Sequence, residues 1–230
     1  MKLVIEKNIG LITSLLDMGS KLSPETKVNI GSTGFSTIIT SGGNAGMELS
    51  IPKEAFDVYE GEGIYGINLK DLVTSMKKMK APITIEENEN LIVVSGGKDK
   101  LSLPIIDEIT GFDNLPEASP KTEVTTTFQD FTIAIKKLKD VGGEAFKFYI
   151  KDCKFKGKSK NGLKNLETEI SDAPAGDDEI FIAVDYIDPI LISNSDPIKV
   201  MFEKDKVFVI KYEKEGTKMT YMIATRVDEF

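Results

Sequence analysis

The residue types able to do chemistry are unevenly stocked. The chain has no histidine and a single cysteine, Cys153. Without histidine there is no Ser-His-Asp or Cys-His nucleophile system and no His-ligated metal site. Carboxylate, lysine and tyrosine chemistry remain open. Three stretches resemble known sites in composition and fail on spacing. GKS at 157–159 lacks the glycine five residues earlier that a phosphate-cradling Walker loop requires. SGGNAGME at 41–48 lacks the G-x-G-x-x-G pattern. GDDE at 176–179 lacks calcium-loop spacing and reads as a solvated turn. On these residues alone an enzyme is the weaker class, with no constellation to support one, and no cofactor or metal is expected.

The feature that needs explaining is positive charge. The chain is acidic, with 29 Lys+Arg against 37 Asp+Glu and a net charge of −8, and its pI is near 4.9. By composition alone that argues against a nucleic-acid partner. Yet KDLVTSMKKMK at 70–80 holds four lysines. On a helical wheel of about 100° per residue, Leu69, Leu72, Val73, Met76 and Met79 form one apolar arc. Lys70, Lys77 and Lys78 fall outside it, and Lys80 precedes Ala81-Pro82, where a helix must stop. The segment QDFTIAIKKLKDVGGE at 129–144 repeats the pattern. Phe131, Ala134, Ile135, Leu138 and Val141 make its arc, with Lys136, Lys137 and Lys139 off it. Two further helices are expected, over 8–19 and 185–194. They present Gly10, Thr13, Ser14 and Asp17, and Asp188, Ser193 and Asn194, with no lysine. A solvated face, where lysine is simply a good helix former, accounts for either basic helix alone. The recurrence asks for more.

These helices sit in a chain that repeats itself. YGINLKDLVTSMKKMKAPITIEENENLIVVSGGKDKLSLPI matches IAVDYIDPILISNSDPIKVMFEKDKVFVIKYEKEGTKMTYMI in the order of its parts. Each has a strand, a helix, then three alternating strands separated by polar or Gly-containing turns. The segments before them also match: a helix, then several strands. Two similar domains follow, 1–103 and 123–230. Between them runs PIIDEITGFDNLPEASPKT (104–122), a connector with three prolines. Its Ile105, Ile106, Ile109, Phe112 and Leu115 are too many for a fully solvated linker, so part of it should pack down. The chain is 230 residues long, 40% apolar and 29% charged, as a soluble globular protein is. No apolar run approaches the roughly 18 residues that would span a bilayer. MKLVIEKN makes a poor signal peptide, and the lone cysteine fits a reducing compartment.

Several motifs, in order along nearly the whole chain, resemble those of PCNA-type DNA sliding clamps. MTYMIATRV at 219–227 is similar to the T-Y-L-L-A-P-[KR]-[VI] ending of that family. LSIPKEAFDVYE at 49–60 resembles N-L-P-x-x-x-F-x-x-Y. YGINLKDLVTSMKKM at 65–79 resembles G-[IF]-[ND]-x-x-x-[LM]-x-K-[IV]-L-K, and IFIAVDYIDPIL at 180–191 its second-domain counterpart. FDNLPEAS at 112–119 resembles the core of the interdomain connector. The resemblance implies an α+β DNA clamp fold: two similar domains per chain, antiparallel sheets outside, helices lining a ring of three subunits. Such a ring encircles duplex DNA without reading its sequence and tethers DNA polymerase and other replication and repair proteins. A clamp loader and proteins bearing clamp-binding motifs are implied partners, with no membrane. The implied location is the cytoplasm, or the nucleus in a eukaryote.

On this reading Lys70, Lys77, Lys78, Lys136, Lys137 and Lys139 face DNA. Partner peptides with one aliphatic and two aromatic anchors would dock on Ile39, Phe112, Leu115, Pro116, Met222, Ile223, Ala224 and Thr225. Ordinary core packing is the competing account of each, above all of Ile39 and Ile223. The chain departs from the family at Thr225, usually proline, at Met222, often aromatic or leucine, and in the glycine-rich 40–47. Ring closure would pair edge strands near 100–104 and 162–171. The basic stretch KFKGKSKNGLK at 154–164 reads more simply as a solvated hairpin tip than as a contact to DNA or loader. Two other readings stand: a clamp-fold interaction or checkpoint-type ring subunit that does not support replication, and an unrelated duplicated β-rich ligand-binding protein. The last predicts a monomer.

Overall fold

The computed structural model describes residues 1–109, 114–192 and 194–226. The chain forms two compact units. The first comprises Met1–Ser41, Gly46–Leu115 and Lys214–Met219; the second comprises Gly42–Ala45, Pro116–Glu213 and the chain from Thr220 onward.

In chain order the first unit holds β1 (Lys2–Ile5), α1 (Ile9–Leu22), β2 (Glu25–Gly31), β3 (Gly34–Ser41), β4 (Ala45–Pro52), β5 (Val58–Glu60), β6 (Gly63–Asn68), α2 (Leu69–Met76), β7 (Ile83–Asn88), β8 (Leu91–Gly96) and β9 (Asp99–Pro104). The second holds β10 (Thr122–Thr127), α3 (Phe128–Lys139), β11 (Ala145–Lys151), β12 (Lys154–Asn161), β13 (Lys164–Asp172), β14 (Glu179–Ala183), α4 (Val184–Ile187), β15 (Pro197–Phe202), β16 (Val207–Lys214) and β17 (Thr217–Ala224), save that Lys214 and Thr217–Met219 belong to the first unit and Ala45 of β4 to the second.

The repeat seen in the sequence is a repeat of topology. The first unit orders its strands β5-β1-β7-β8-β9 and β4-β3-β2-β6; the second orders them β10-β15-β16-β17 and β13-β12-β11-β14. In each, the opening strand lies beside the strand that follows the second helix. In each, the three strands after the first helix form a meander, closed by the strand that leads into the second helix. The fold class is α+β with antiparallel sheets, as expected. The alternation Val28, Ile30 in β2 and Phe146, Phe148, Ile150 in β11 turns one face of each meander into core. The helices cover it: Leu15, Leu16 and Met18 from α1, Leu72, Val73 and Met76 from α2, and Phe128, Phe131, Ile135 and Leu138 from α3 are all buried. A buried cluster of rings fills the second unit, with Phe148 5.1 Å from Phe208 and 5.8 Å from Phe131 between centroids.

All four helices differ from expectation at a boundary; α3 stops at Lys139 rather than running through 144, so Val141 of its expected arc lies in the turn that follows. α1 runs on past residue 19 to Leu22, which adds Lys21. Gly19 lies within the helix, under Ile39 and Met47, where a side chain would clash. α2 ends at Met76, and the chain then tightens into one turn, with the Lys78 N–H donating to Ser75 O at 3.0 Å. The expected helix over 185–194 is only α4 and a short 3-10 turn, Asp188–Ile190. Pro189 supplies no N–H to continue it. Ser193 lies outside the described residues. The connector has no regular structure in 105–109 and 114–121. It packs down in the first unit, where Ile106 N–H donates to Gly66 O at 2.9 Å.

Candidate functional site

The lysines come first. Both basic helices begin with a side-chain cap: Asn68 accepts from Asp71 N–H at 2.9 Å and Thr127 from Asp130 N–H at 3.0 Å. The acid in the first turn of each suits the positive end of the helix dipole, and lysines toward the end of α3 suit the negative end. Helical spacing puts Lys70 of α2 and Lys136, Lys137 and Lys139 of α3 on the face away from the core, whereas Lys77 and Lys78, expected on the same helix as Lys70, lie in the turn after it. Lys70, Lys78, Lys136 and Lys137 are exposed and make no ion pair among the described residues. Lys77 and Lys139 differ. Lys77 Nζ lies 2.6 Å from Asp17 Oδ1 of α1, and Lys139 Nζ lies 2.6 Å from Asp188 Oδ1. Nothing in the sequence reading singled out these two carboxylates as lysine partners. Their signal was present in the pairing of one basic with one acidic helix in each unit.

The peptide-docking candidates fall on two faces. In the first unit, Ile39 is 1% exposed and packs against Gly19 of α1. It is a core residue, so its assignment to a docking surface is corrected. Successive strand residues point to opposite faces, and those on the outer side, Ile38 and Thr40, are half-buried. Leu115 does lie on this outer side, against Gly46, which Thr40 also flanks. Pro116 is exposed, and Phe112 lies outside the described residues.

In the second unit the same alternation runs along β17. Tyr221 and Ile223 are fully buried on one face, so Ile223 is likewise core and its assignment is corrected. Met222, at 7% exposure, and the exposed Ala224 lie on the other face. Thr225 and Arg226 line a shallow pocket with Glu179, Ile180, Phe181, Lys204 and Asp205. The Arg226 N–H donates to Phe181 O at 2.9 Å. The glycine-rich turn joins this end of the chain. Gly42 and Gly43 take φ of +54° and +79°, which glycine adopts without strain. They bring Asn44 to where its carbonyl accepts from Ala224 N–H at 2.8 Å. Its side-chain amide donates to Tyr186 Oη at 3.0 Å. The departure at 40–47 is thus a structural anchor for the end of β17, a role its sequence did not announce.

Among the described residues no group of His, Cys, Asp or Glu could hold a metal ion. Among the described residues no helix is long and apolar enough to cross a membrane.

No protein-family model matches the sequence, and no curated protein does. Solved structures do. A. fulgidus PCNA with the C-terminal region of FEN-1 bound superposes with a TM-score of 0.85 at 16% identity, covering 100% of this chain and 99% of that one. The PCNA2–PCNA3 complex of Sulfolobus tokodaii gives 0.85 at 17% identity, covering 99% and 100%. PCNA from Thermococcus kodakaraensis gives 0.85 at 18%, covering 98% and 99%. At such identities the likeness is one of fold, and it extends over essentially every residue of both partners. The chain has the fold of the PCNA-type sliding clamps.

Proposed function

We propose that this chain is a sliding clamp: three copies close into a ring that encircles duplex DNA and tethers a polymerase and other replication and repair proteins. The observation that carries the reading is the recurrence of solvent-facing lysines on or just after one helix of each unit, in a chain that is otherwise acidic. Phosphates attract lysine without regard to sequence, and salt screens the attraction. A ring that holds DNA topologically needs contacts weak enough to slide. Acidic charge elsewhere discourages DNA from the outer surface.

Closure is proposed to pair β9 with β13 of a neighbouring copy. Each ends its sheet within its own unit, and unpaired edges invite partners. Partner peptides are proposed to lie over the outer side of β3 and β4, where Leu115 sits. Met222, Ala224 and Thr225 of the second unit, with Pro116, are the further expected contacts. A. fulgidus PCNA carries the C-terminal region of FEN-1, and a comparable segment is the partner proposed here. No bond is made or broken by the clamp.

The test is mass and processivity together. Light scattering should give three times the 25.3 kDa of the chain. With a loader and polymerase, primer extension on a circular template should lengthen several-fold. A monomer overturns a ring of three identical copies and leaves only one built with other chains of the same fold. A trimer that leaves extension unchanged turns the reading toward an interaction subunit of the same fold.

A further inference from the structure

Resting on the sliding-clamp reading, we infer that Asp17 and Asp188 are built-in competitors for DNA phosphate: each occupies one lysine and so sets how loosely the ring holds its duplex.

The two ion pairs are equivalent in place and reversed in sense. In the first unit the lysine, Lys77, follows the second helix and the carboxylate, Asp17, lies on the first. In the second unit the lysine, Lys139, lies on the first helix and the carboxylate, Asp188, follows the second. A residue-by-residue duplication would leave charge of each sign on corresponding helices. Here the signs are exchanged while the pair, at 2.6 Å both times, is kept. What the two units share is therefore the pairing itself.

Both pairs are open to solvent. The side chains of Lys77 and Asp17 are 49% and 23% exposed, those of Lys139 and Asp188 36% and 41%. Ion pairs so exposed add little to folding, and they exchange partners readily. Asp17 has a second cation in Lys21, 3.3 Å away, so it keeps a partner when Lys77 leaves it. A phosphate approaching Lys77 or Lys139 must displace a carboxylate of like charge. The exchange is close to neutral, so these two lysines contribute little net attraction while remaining available to a passing backbone. Lys70, Lys78, Lys136 and Lys137 carry no such competitor and supply the standing attraction.

The experiment uses the full chain as Asp17→Asn, Asp188→Asn and the double variant, with light scattering and thermal melts to confirm an unchanged ring. Binding to a short linear duplex is followed by fluorescence anisotropy across a salt series, and diffusion of loaded rings along DNA is followed by single-molecule imaging. The double variant should bind at least tenfold tighter at low salt. Its log K against log salt should be steeper by about 1 or more, since each freed lysine adds up to roughly 0.9 to that slope. Its rings should diffuse more slowly. Adding Lys77→Gln to Asp17→Asn should remove the gain of that single variant, which a merely structural role for Asp17 would not do. Wild-type affinity and slope in the double variant, with an intact ring and a wild-type chain that does bind DNA, overturn the inference and leave the clamp reading standing. A wild-type chain that binds no better than a variant with Lys70, Lys78, Lys136 and Lys137 changed to Ala overturns both.

Discussion

Leu115 sits directly over Gly46: a Cβ built on that glycine would stand 2.5 Å from Leu115 Cδ2. The connector therefore has a seat on the outer side of β4 only because that position lacks a side chain. Gly46→Val should lift Leu115 away, and Leu115→Ser should leave the seat without its apolar occupant. Both should weaken a peptide with one aliphatic and two aromatic anchors at least tenfold, as loss of a central anchor contact does. Fluorescence polarisation measures the affinity, and light scattering checks that each variant keeps the wild-type mass. Undiminished affinity in both variants would place the dock elsewhere.

The lysines divide into two classes with different expected weights. Changing Lys70, Lys78, Lys136 and Lys137 to Ala removes the four with no ion pair among the described residues and should cut polymerase processivity several-fold near physiological salt. Changing Lys77 and Lys139 instead removes two whose charge is already shared with Asp17 and Asp188, and should cost less per lysine. Run lengths on a primed circular template at several salt concentrations compare the two sets. Equal loss per lysine would contradict the division.

The fold was legible because it is periodic and stated twice. Alternation in segments such as PIKVMFE and VFVIKYE specifies strands, and the repeated order of strands and helices specifies the duplicated architecture. The site was less legible, because facing is a matter of parity. In STIIT both Ile38 and Ile39 are apolar, so sequence cannot say which points inward, and a one-residue slip exchanges the faces of a strand. Contact with Gly19 decides for Ile39. The same ambiguity affects Met222 and Ile223, where β17 has apolar residues on both faces. The Asn44 carbonyl that receives Ala224 N–H, and the carboxylates that hold Lys77 and Lys139, depend on contacts between segments remote in sequence.

Packing in the second unit rests on its ring cluster. Phe148 is fully buried, with Phe208 at 5.1 Å, Phe131 at 5.8 Å and Phe155 at 5.9 Å between centroids. Phe148→Ala opens a cavity that such neighbours fill poorly, at an expected cost of about 3–5 kcal/mol. Phe148→Leu should cost distinctly less, since most of the volume is kept. Urea unfolding followed by circular dichroism measures both. A loss below about 1 kcal/mol for the alanine variant would mean that the cluster is not the core of this unit.

Tyr65 and Glu87 give the first unit a pH signature. The Tyr65 hydroxyl donates to Glu87 Oε2 at 2.7 Å, and the amino terminus of Met1 lies 3.2 Å from the same oxygen. The hydrogen bonds from Tyr65 and the amino terminus hold the Glu87 carboxyl below its usual range. Burial, together with the carboxylate beside it, pushes the Tyr65 hydroxyl up to about 12. A depressed carboxylate adds stability that is present above its unfolded value, about 4.3, and lost as pH falls through the folded one. A raised phenol adds stability that is complete below its unfolded value, about 10, and lost as pH rises toward the folded one. Tyr65→Phe should therefore lower the melting temperature most between about pH 5 and 9. The gap to wild type should narrow on both sides of that window, below pH 4 as Glu87 takes up its proton and above pH 10 as the unfolded phenol gives one up. Melts of the two proteins across pH 3 to 11 measure the gap. A constant difference at every pH would mean that Tyr65 contributes by packing alone.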